Sequence, residues 1–197
     1  KRNDLNKALS GSVMSLSTSD TAPDFNLKNA NENLYGDMIS LDKMMKEWPK
    51  GLVVAFECNH CPYVVAMISR MNAMAEYCAS EGIGYVGINS NDENNYQEDS
   101  YENMVKRADA GKGMLYPYLH DATQQVAQQY GAKRTPEFFL FNSQLELVYQ
   151  GRMDDSPRNP TEVTTSELSD AITAMLDGQT PSVVQTDSIG CSVKWKM

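Results

Sequence analysis

Two cysteines three positions apart, Cys58 and Cys61, lie in the run Phe56-Glu57-Cys58-Asn59-His60-Cys61-Pro62. Such a pair can cycle between dithiol and disulfide, or it can form half of a metal site. A four-ligand zinc site needs a second Cys or His pair, and His120, Cys78 and Cys191 show no such spacing. No resident metal and no cofactor are therefore expected. A copper(I) carrier using Cys58, Cys61 and a His or Met is the alternative outside redox chemistry, because soft thiolates suit that ion.

A CxxC that ends a buried strand and opens a helix sets its first sulfur among free backbone N–H groups and near the positive end of the helix dipole. Thiols so placed have a pKa of about 3.5 to 7.5, against about 8.5 when free. Cys58 is accordingly expected to be the nucleophile, and Cys61, one turn further in, the resolving thiol. His60 between them is expected to stabilise the Cys58 thiolate through a hydrogen bond or a positive charge, making the disulfide more oxidising. Glu57 either disfavours a second negative charge beside Cys58 or serves as a proton acceptor. Pro62, lacking an N–H, fits a first helical turn. Cys191 is expected to be either a third redox thiol that reaches back to the pair or a free or packed thiol. Cys78 falls on an apolar helix face and reads as packing, as do Met67, Met71 and Met74, while His120 after Leu119 reads as a cap.

These residues need elements to hold them. Leu52 to Phe56 is wholly apolar and predicts a strand buried on both faces. From Cys61, apolar groups at Val64, Met67, Ile68, Met71, Met74, Ala75 and Cys78 keep helical spacing, so one long amphipathic helix is expected, stopped at Gly82. Ile83 to Ile88 predicts a further strand. Upstream, Phe25–Leu27 and Met38–Leu41 predict a hairpin, and Asp42 a cap for a short helix over Lys43 to Glu47. A helix from Ser100 to about Ala110, released by Gly111 and Gly113, reads as an inserted block. A short helix to Tyr130, a strand Phe138–Phe141 after Thr135-Pro136, a partner strand Leu145–Tyr149 and a last helix Ser166–Leu176 complete the pattern. Strands alternating with helices imply an α/β fold with helices on both faces of a sheet. At 197 residues one domain is expected, with a core over about 20–178 and a tail, 179–197, of no clear period.

Hydrophobic content of 41% and charged content of 22% are ordinary for a globular chain. Against 17 basic residues stand 26 acidic ones, and the resulting charge of -9 repels a phosphate backbone and an anionic bilayer, so neither nucleic acid nor a membrane surface is expected as a partner. The longest apolar stretch, Leu52 to Phe56, is far short of the roughly 18 residues a membrane-spanning helix requires. Lys1 to Ser19 lacks the apolar stretch of a secretion signal, so a cytoplasmic location is expected, an exported form trimmed of its signal being the alternative.

Several segments together resemble the thioredoxin superfamily, specifically its alkyl hydroperoxide reductase/thiol-specific antioxidant, peroxiredoxin-like branch. They are Ala22 to Leu27, the CNHCPYV run within Phe56 to Val64, Tyr116 to Asp121, Gly131 to Asn142 and Gly190 to Lys196. The resemblance implies a thioredoxin-like fold with a central mixed β-sheet flanked by helices, an N-terminal hairpin and an inserted helical segment. It further implies that Thr135-Pro136 is a cis peptide facing the CxxC, with the Thr135 backbone exposed to pair with a substrate by strand addition. The implied activity is thiol–disulfide exchange with a protein or small-molecule disulfide or thiol, served by an external thiol reductant. The alternative is a thiol-dependent peroxidase, in which peroxide oxidises Cys58 to sulfenic acid and Cys61 or Cys191 condenses with it. Departures weigh against the peroxidase: where a typical peroxiredoxin carries Pro and Thr, seven and three positions before its cysteine, this chain has Gly51 and Ala55 before Cys58, and Val54 and Cys58 before Cys61. Leu52 stands where thioredoxins usually carry a buried acid.

Overall fold

The computed structural model describes residues 15–109 and 113–197. The expected helix end at Ala110, the release at Gly111 and the polar stretch before Ser15 lie outside the described residues. Strands β1 (Asn26–Asn29) and β2 (Met38–Ser40) form the expected antiparallel hairpin. Helix α1 (Leu41–Glu47) follows, and its cap is Ser40 rather than Asp42: the Ser40 hydroxyl accepts from the Lys43 N–H at 3.0 Å. Asp42 stands one residue inside, where its charge meets the first-turn dipole.

Strand β3 (Gly51–Phe56) is buried along its whole length, and its side chains alternate between two cores. Val53 and Ala55 pack on one side with Met67, Met71, Tyr85, Phe138 and Leu140. Leu52, Val54 and Phe56 pack on the other with Val86, Ile88, Phe139, Phe141 and Tyr130. A run apolar at every position thus satisfies two faces at once, as a strand covered by helices on both sides must.

The expected long helix is two. Helix α2 (Pro62–Val65) breaks at Ala66–Met67, and α3 (Ile68–Ser80) continues from there, burying Met71, Ala75 and Cys78. Strand β4 (Ile83–Asn89) runs parallel to β3. Helix α4 (Tyr101–Asp109) belongs to the inserted block, which leads to β5 (Tyr118–His120). Helix α5 (Gln125–Tyr130) precedes β6 (Arg134–Thr135), and β7 (Glu137–Asn142), β8 (Leu147–Gly151) and helix α6 (Glu167–Leu176) follow. The main sheet runs β2-β1-β5-β4-β3-β7-β8, mixed in direction, with β3 and β4 at its centre.

This order positions the site. The carboxyl ends of β3 and β4 lie side by side, where open α/β sheets place their ligand crevices. Because β7 runs antiparallel to β3, with Phe56 opposite Glu137, the start of β7 comes to the same edge and carries Thr135 and Pro136 with it. The tail is not loose: β9 (Cys191–Ser192) pairs antiparallel with β6. Among the described residues no helix is long and apolar enough to cross a membrane.

Candidate active site

All four cysteines are free thiols. Cys78 packs in the core, where burial pushes its thiol up to about 12, and it has no part in the site. The other three converge. Cys58 and Cys61 are 1% and 0% exposed, and both face Thr135: the Cys58 sulfur lies 3.5 Å from its hydroxyl and the Cys61 sulfur 3.4 Å from its carbonyl oxygen. Cys191, half-buried on β9, places its sulfur 2.7 Å from that of Cys61.

The helix begins later than the spacing suggested. Cys61, not Cys58, is the N-cap residue of α2, and residues 57–60 form an irregular loop before it. The charge follows this placement. Cys61 is lowered to about 4, chiefly by the Cys58 thiol donating to it, with the Cys191 thiol and the Val64 N–H adding to the effect and burial opposing it. Cys58 is correspondingly pushed up, because its proton is held against Cys61, because it is buried, and because the Asp99 carboxylate is near. Cys191 is pushed up to about 11, by burial and then by the charge on Cys61. The direction of the shifts differs from the expectation: Cys61, at the N-cap of α2, is the thiol favoured as thiolate, and Cys58 is held protonated against it.

His60 does not aim primarily at Cys58. Its Nδ1 lies 2.7 Å from Asp99 Oδ2, and its ring stacks on Tyr96 at 6.1 Å between centroids. Asp99 is fully buried and also accepts from the Asn59 N–H at 2.7 Å, from Asn89 Nδ2 at 3.2 Å and from Asn91 Nδ2 at 2.9 Å. The Cys58 sulfur, a His60 nitrogen and an Asp99 oxygen lie within 4.8 Å of one another, so the trio could hold a metal ion. Both Asp99 oxygens also accept hydrogen bonds.

Glu57 is fully buried on the Arg107 guanidinium, 2.8 Å from Nη2 to Oε1, and accepts from the Tyr116 hydroxyl at 2.9 Å. Burial raises its pKa, while the Arg107 charge and the Tyr116 hydrogen bond hold it down. Gly87 on β4 makes room for it, since a Cβ there would stand 2.8 Å from Glu57 Oε2. Arg107 Nη1 also donates to the Cys58 carbonyl at 2.7 Å, and its guanidinium lies over the Tyr118 ring, 5.1 Å from the centroid.

The Thr135-Pro136 bond is cis, as the resemblance implied. The Thr135 edge is not exposed, however: Thr135 is 3% exposed and its backbone is opposite Cys191 in the β6–β9 ladder. The strand position expected for a substrate holds the chain's own tail. His120 lies apart from the thiols, 3.3 Å from Glu93 and against Tyr101.

Arg107 and Asp99 went unseen in the sequence because the stretch that carries them reads as an insertion. The available signal was the Asn/Asp-rich run Asn89 to Asn95 directly after a buried parallel strand, the edge where crevices form.

A model of the AhpC/TSA family matches residues 18–150. The chain belongs to the AhpC/TSA family. As a member of it, the protein has a thioredoxin-like redox function. Two solved structures are similar over nearly the whole chain. An uncharacterized conserved protein from Geobacillus kaustophilus is 39% identical with a TM-score of 0.82, covering 91% of this chain and 93% of that one. A hypothetical protein from Sinorhizobium meliloti is 38% identical with a TM-score of 0.82, covering 93% and 97%. The thioredoxin domain of a thiol-disulfide oxidoreductase from Bacteroides vulgatus, 17% identical with a TM-score of 0.54 over 75% of this chain and 96% of that one, shares the fold. No curated protein sequence matched the chain.

Proposed function

We propose that this AhpC/TSA-family protein is a thiol–disulfide oxidoreductase in which Cys58 and Cys61 cycle between dithiol and disulfide against a protein or small-molecule disulfide. The observation that carries the proposal is the geometry: both thiols meet at Thr135 beside the cis Thr135-Pro136 bond, with Cys61 at the N-cap of α2, where the thiolate form is favoured. Thiolate character starts exchange, and a second thiol already in contact ends it. Cys61 opens a substrate disulfide, forming a mixed disulfide, and Cys58 displaces the substrate thiol as the Cys58–Cys61 bond closes. An external thiol reductant returns the pair to the dithiol. This reading exchanges the roles expected for the two cysteines and keeps the pair.

Glu57 and Arg107 brace the loop from behind, and His60 with Asp99 fixes its shape. A peroxidase reading gains nothing comparable: the position three before Cys58 is Ala55, packed in the core, with no hydroxyl to activate a peroxide.

Equilibration with glutathione buffers, followed by acid quench, alkylation and mass spectrometry, tests the proposal. Cys58 and Cys61 are expected to oxidise together in one two-electron step, and the Cys58→Ser variant that also carries Cys191→Ser to trap a mixed disulfide on Cys61. Thiols that stay reduced across all buffers, or oxidation that yields sulfinic acid and no disulfide, would sink it.

A further inference from the structure

The buried pair has an access problem. Thiol–disulfide exchange needs the attacking sulfur to reach a disulfide sulfur in line, and neither Cys58 nor Cys61 offers more than 1% of its surface. Cys191 is the half-buried member of the three, and it touches Cys61. Its sulfur is 2.7 Å from the Cys61 sulfur, against about 2.05 Å in a disulfide bond.

Nothing about this contact is left to a swinging terminus. The β6–β9 ladder sets Thr135 opposite Cys191 and Arg134 opposite Ser192. Val193 donates to the Lys133 carbonyl at 2.9 Å, Lys194 to the Asn91 side chain at 2.9 Å, and Gln124 Nε2 to the Lys194 carbonyl at 2.9 Å. Trp195 packs against the core on the far side of the sheet from the thiols. Gly190 approaches β6 so closely that a Cβ would run into the Thr135 carbonyl. The tail therefore holds Cys191 in place much as a bound peptide would hold its cysteine.

From this arrangement, and resting on the exchange function proposed above, we infer that Cys191 is a third redox-active thiol, a relay through which external low-molecular-weight thiols exchange electrons with the buried pair. In the oxidised protein the Cys191 thiolate attacks Cys61: the Cys61–Cys191 bond forms as the Cys58–Cys61 bond breaks, and Cys58 leaves as thiolate and takes up the proton that Cys191 gave up. This step moves the disulfide outward without net oxidation. An external thiolate then attacks Cys191, and Cys61 leaves as thiolate. A second external thiol frees Cys191 and departs as part of an external disulfide. Two electrons and two protons have entered, and the dithiol is restored.

The test uses the full chain, oxidised to the Cys58–Cys61 disulfide and reduced by dithiothreitol, with the redox state read by quenched alkylation. Cys191→Ser is expected to slow reduction by about tenfold or more, because the pair must then wait for direct access. Gly190→Val keeps all three thiols but lifts β9 from β6, and is expected to slow reduction to a similar extent. In Cys58→Ser, mild diamide oxidation is expected to yield a peptide linked through Cys61 and Cys191. Unchanged rates in Cys191→Ser, faster reduction in either tail variant (which would make the tail a lid), or absence of the Cys61–Cys191 peptide would each overturn the relay. In those cases a Cys58–Cys61 disulfide that still forms in glutathione buffers leaves the exchange function standing, whereas a wild-type chain that never forms it removes both.

Discussion

Glu57 and Arg107 form a buried ion pair at 2.8 Å directly behind the thiols, and the same guanidinium holds the Cys58 carbonyl at 2.7 Å. A charge that has left water keeps its form only while its partner remains, so the pair locks the active-site loop to the inserted helix α4.

Arg107→Met is expected to destabilise the protein by about 3 to 5 kcal/mol, because it strands the Glu57 carboxylate in the core. The loss should depend on pH with a definite sign. Burial already raises the Glu57 pKa, so its contribution is present below the unfolded value of about 4.3 and declines as pH rises through the folded value. Without Arg107 the folded value rises further, so the decline should extend to higher pH. Urea unfolding at several pH values measures it, and a flat profile in the variant would show that Arg107 does not hold the carboxylate.

The Cys61 thiolate should persist in acid. Its pKa is lowered to about 4, against about 8.5 for a free thiol, so ultraviolet thiolate absorbance of the reduced protein should hold near one equivalent down to about pH 5 and fall to about half near pH 4. The stability this group lends the reduced protein is present above the unfolded value and is lost as pH falls through the folded one. Cys61→Ser should abolish the acid-stable signal. A wild-type signal that disappears between pH 8 and 9, as for an ordinary thiol at about 8.5, would refute the charge assignment.

Asp99 is a positioning residue for the loop 57–60, and it also contributes to raising Cys58. Asp99→Asn removes the charge and keeps the size, so the Cys58 thiol should titrate at lower pH than in the wild type. Asp99→Ala, which also removes the Asn59 hydrogen bond, should slow exchange by roughly tenfold. An Asn variant with the wild-type Cys58 titration would count against the electrostatic role.

Asn29 ties the hairpin to the insertion's exit. Its amide donates to the carbonyls of Asn31, Leu34 and Gly36, and its Oδ1 accepts from the N–H groups of Asn31 and Tyr118. Asn29→Ala orphans these buried groups and should cost about 3 kcal/mol in chemical unfolding, with faster amide exchange at Tyr118. A loss under about 1 kcal/mol would mean that water replaces the side chain.

The strands were legible because each packs on both faces: Leu52 to Phe56 and Ile83 to Ile88 read as buried strands, and so they are. The helix after the CxxC read as continuous because Val64, Met67, Ile68 and Met71 keep helical spacing across the break at Ala66–Met67, and periodicity is blind to a local interruption. Cys58 and Cys61 were visible as a pair, but the distribution of charge between them was not, since it depends on where α2 begins and on Cys191, 130 positions away. Arg107 was invisible for the same reason, its partners Glu57 and Cys58 being about 50 positions away, and Asp99 because the stretch that carries it reads as an insertion. The occupied Thr135 edge depended on a two-residue strand, too short for any pattern to announce.

The β6–β9 ladder also carries a consequence for biosynthesis. Translation adds about 5 to 20 residues per second, and Cys191 follows Thr135 by about 56 residues, so a nascent chain that has folded β3 to β7 spends several seconds with the Thr135 edge bare. During that interval the Thr135 edge is an unpaired strand edge of the kind that can pair with another chain. The molecule closes its own seam only when the ribosome releases the segment around Cys191.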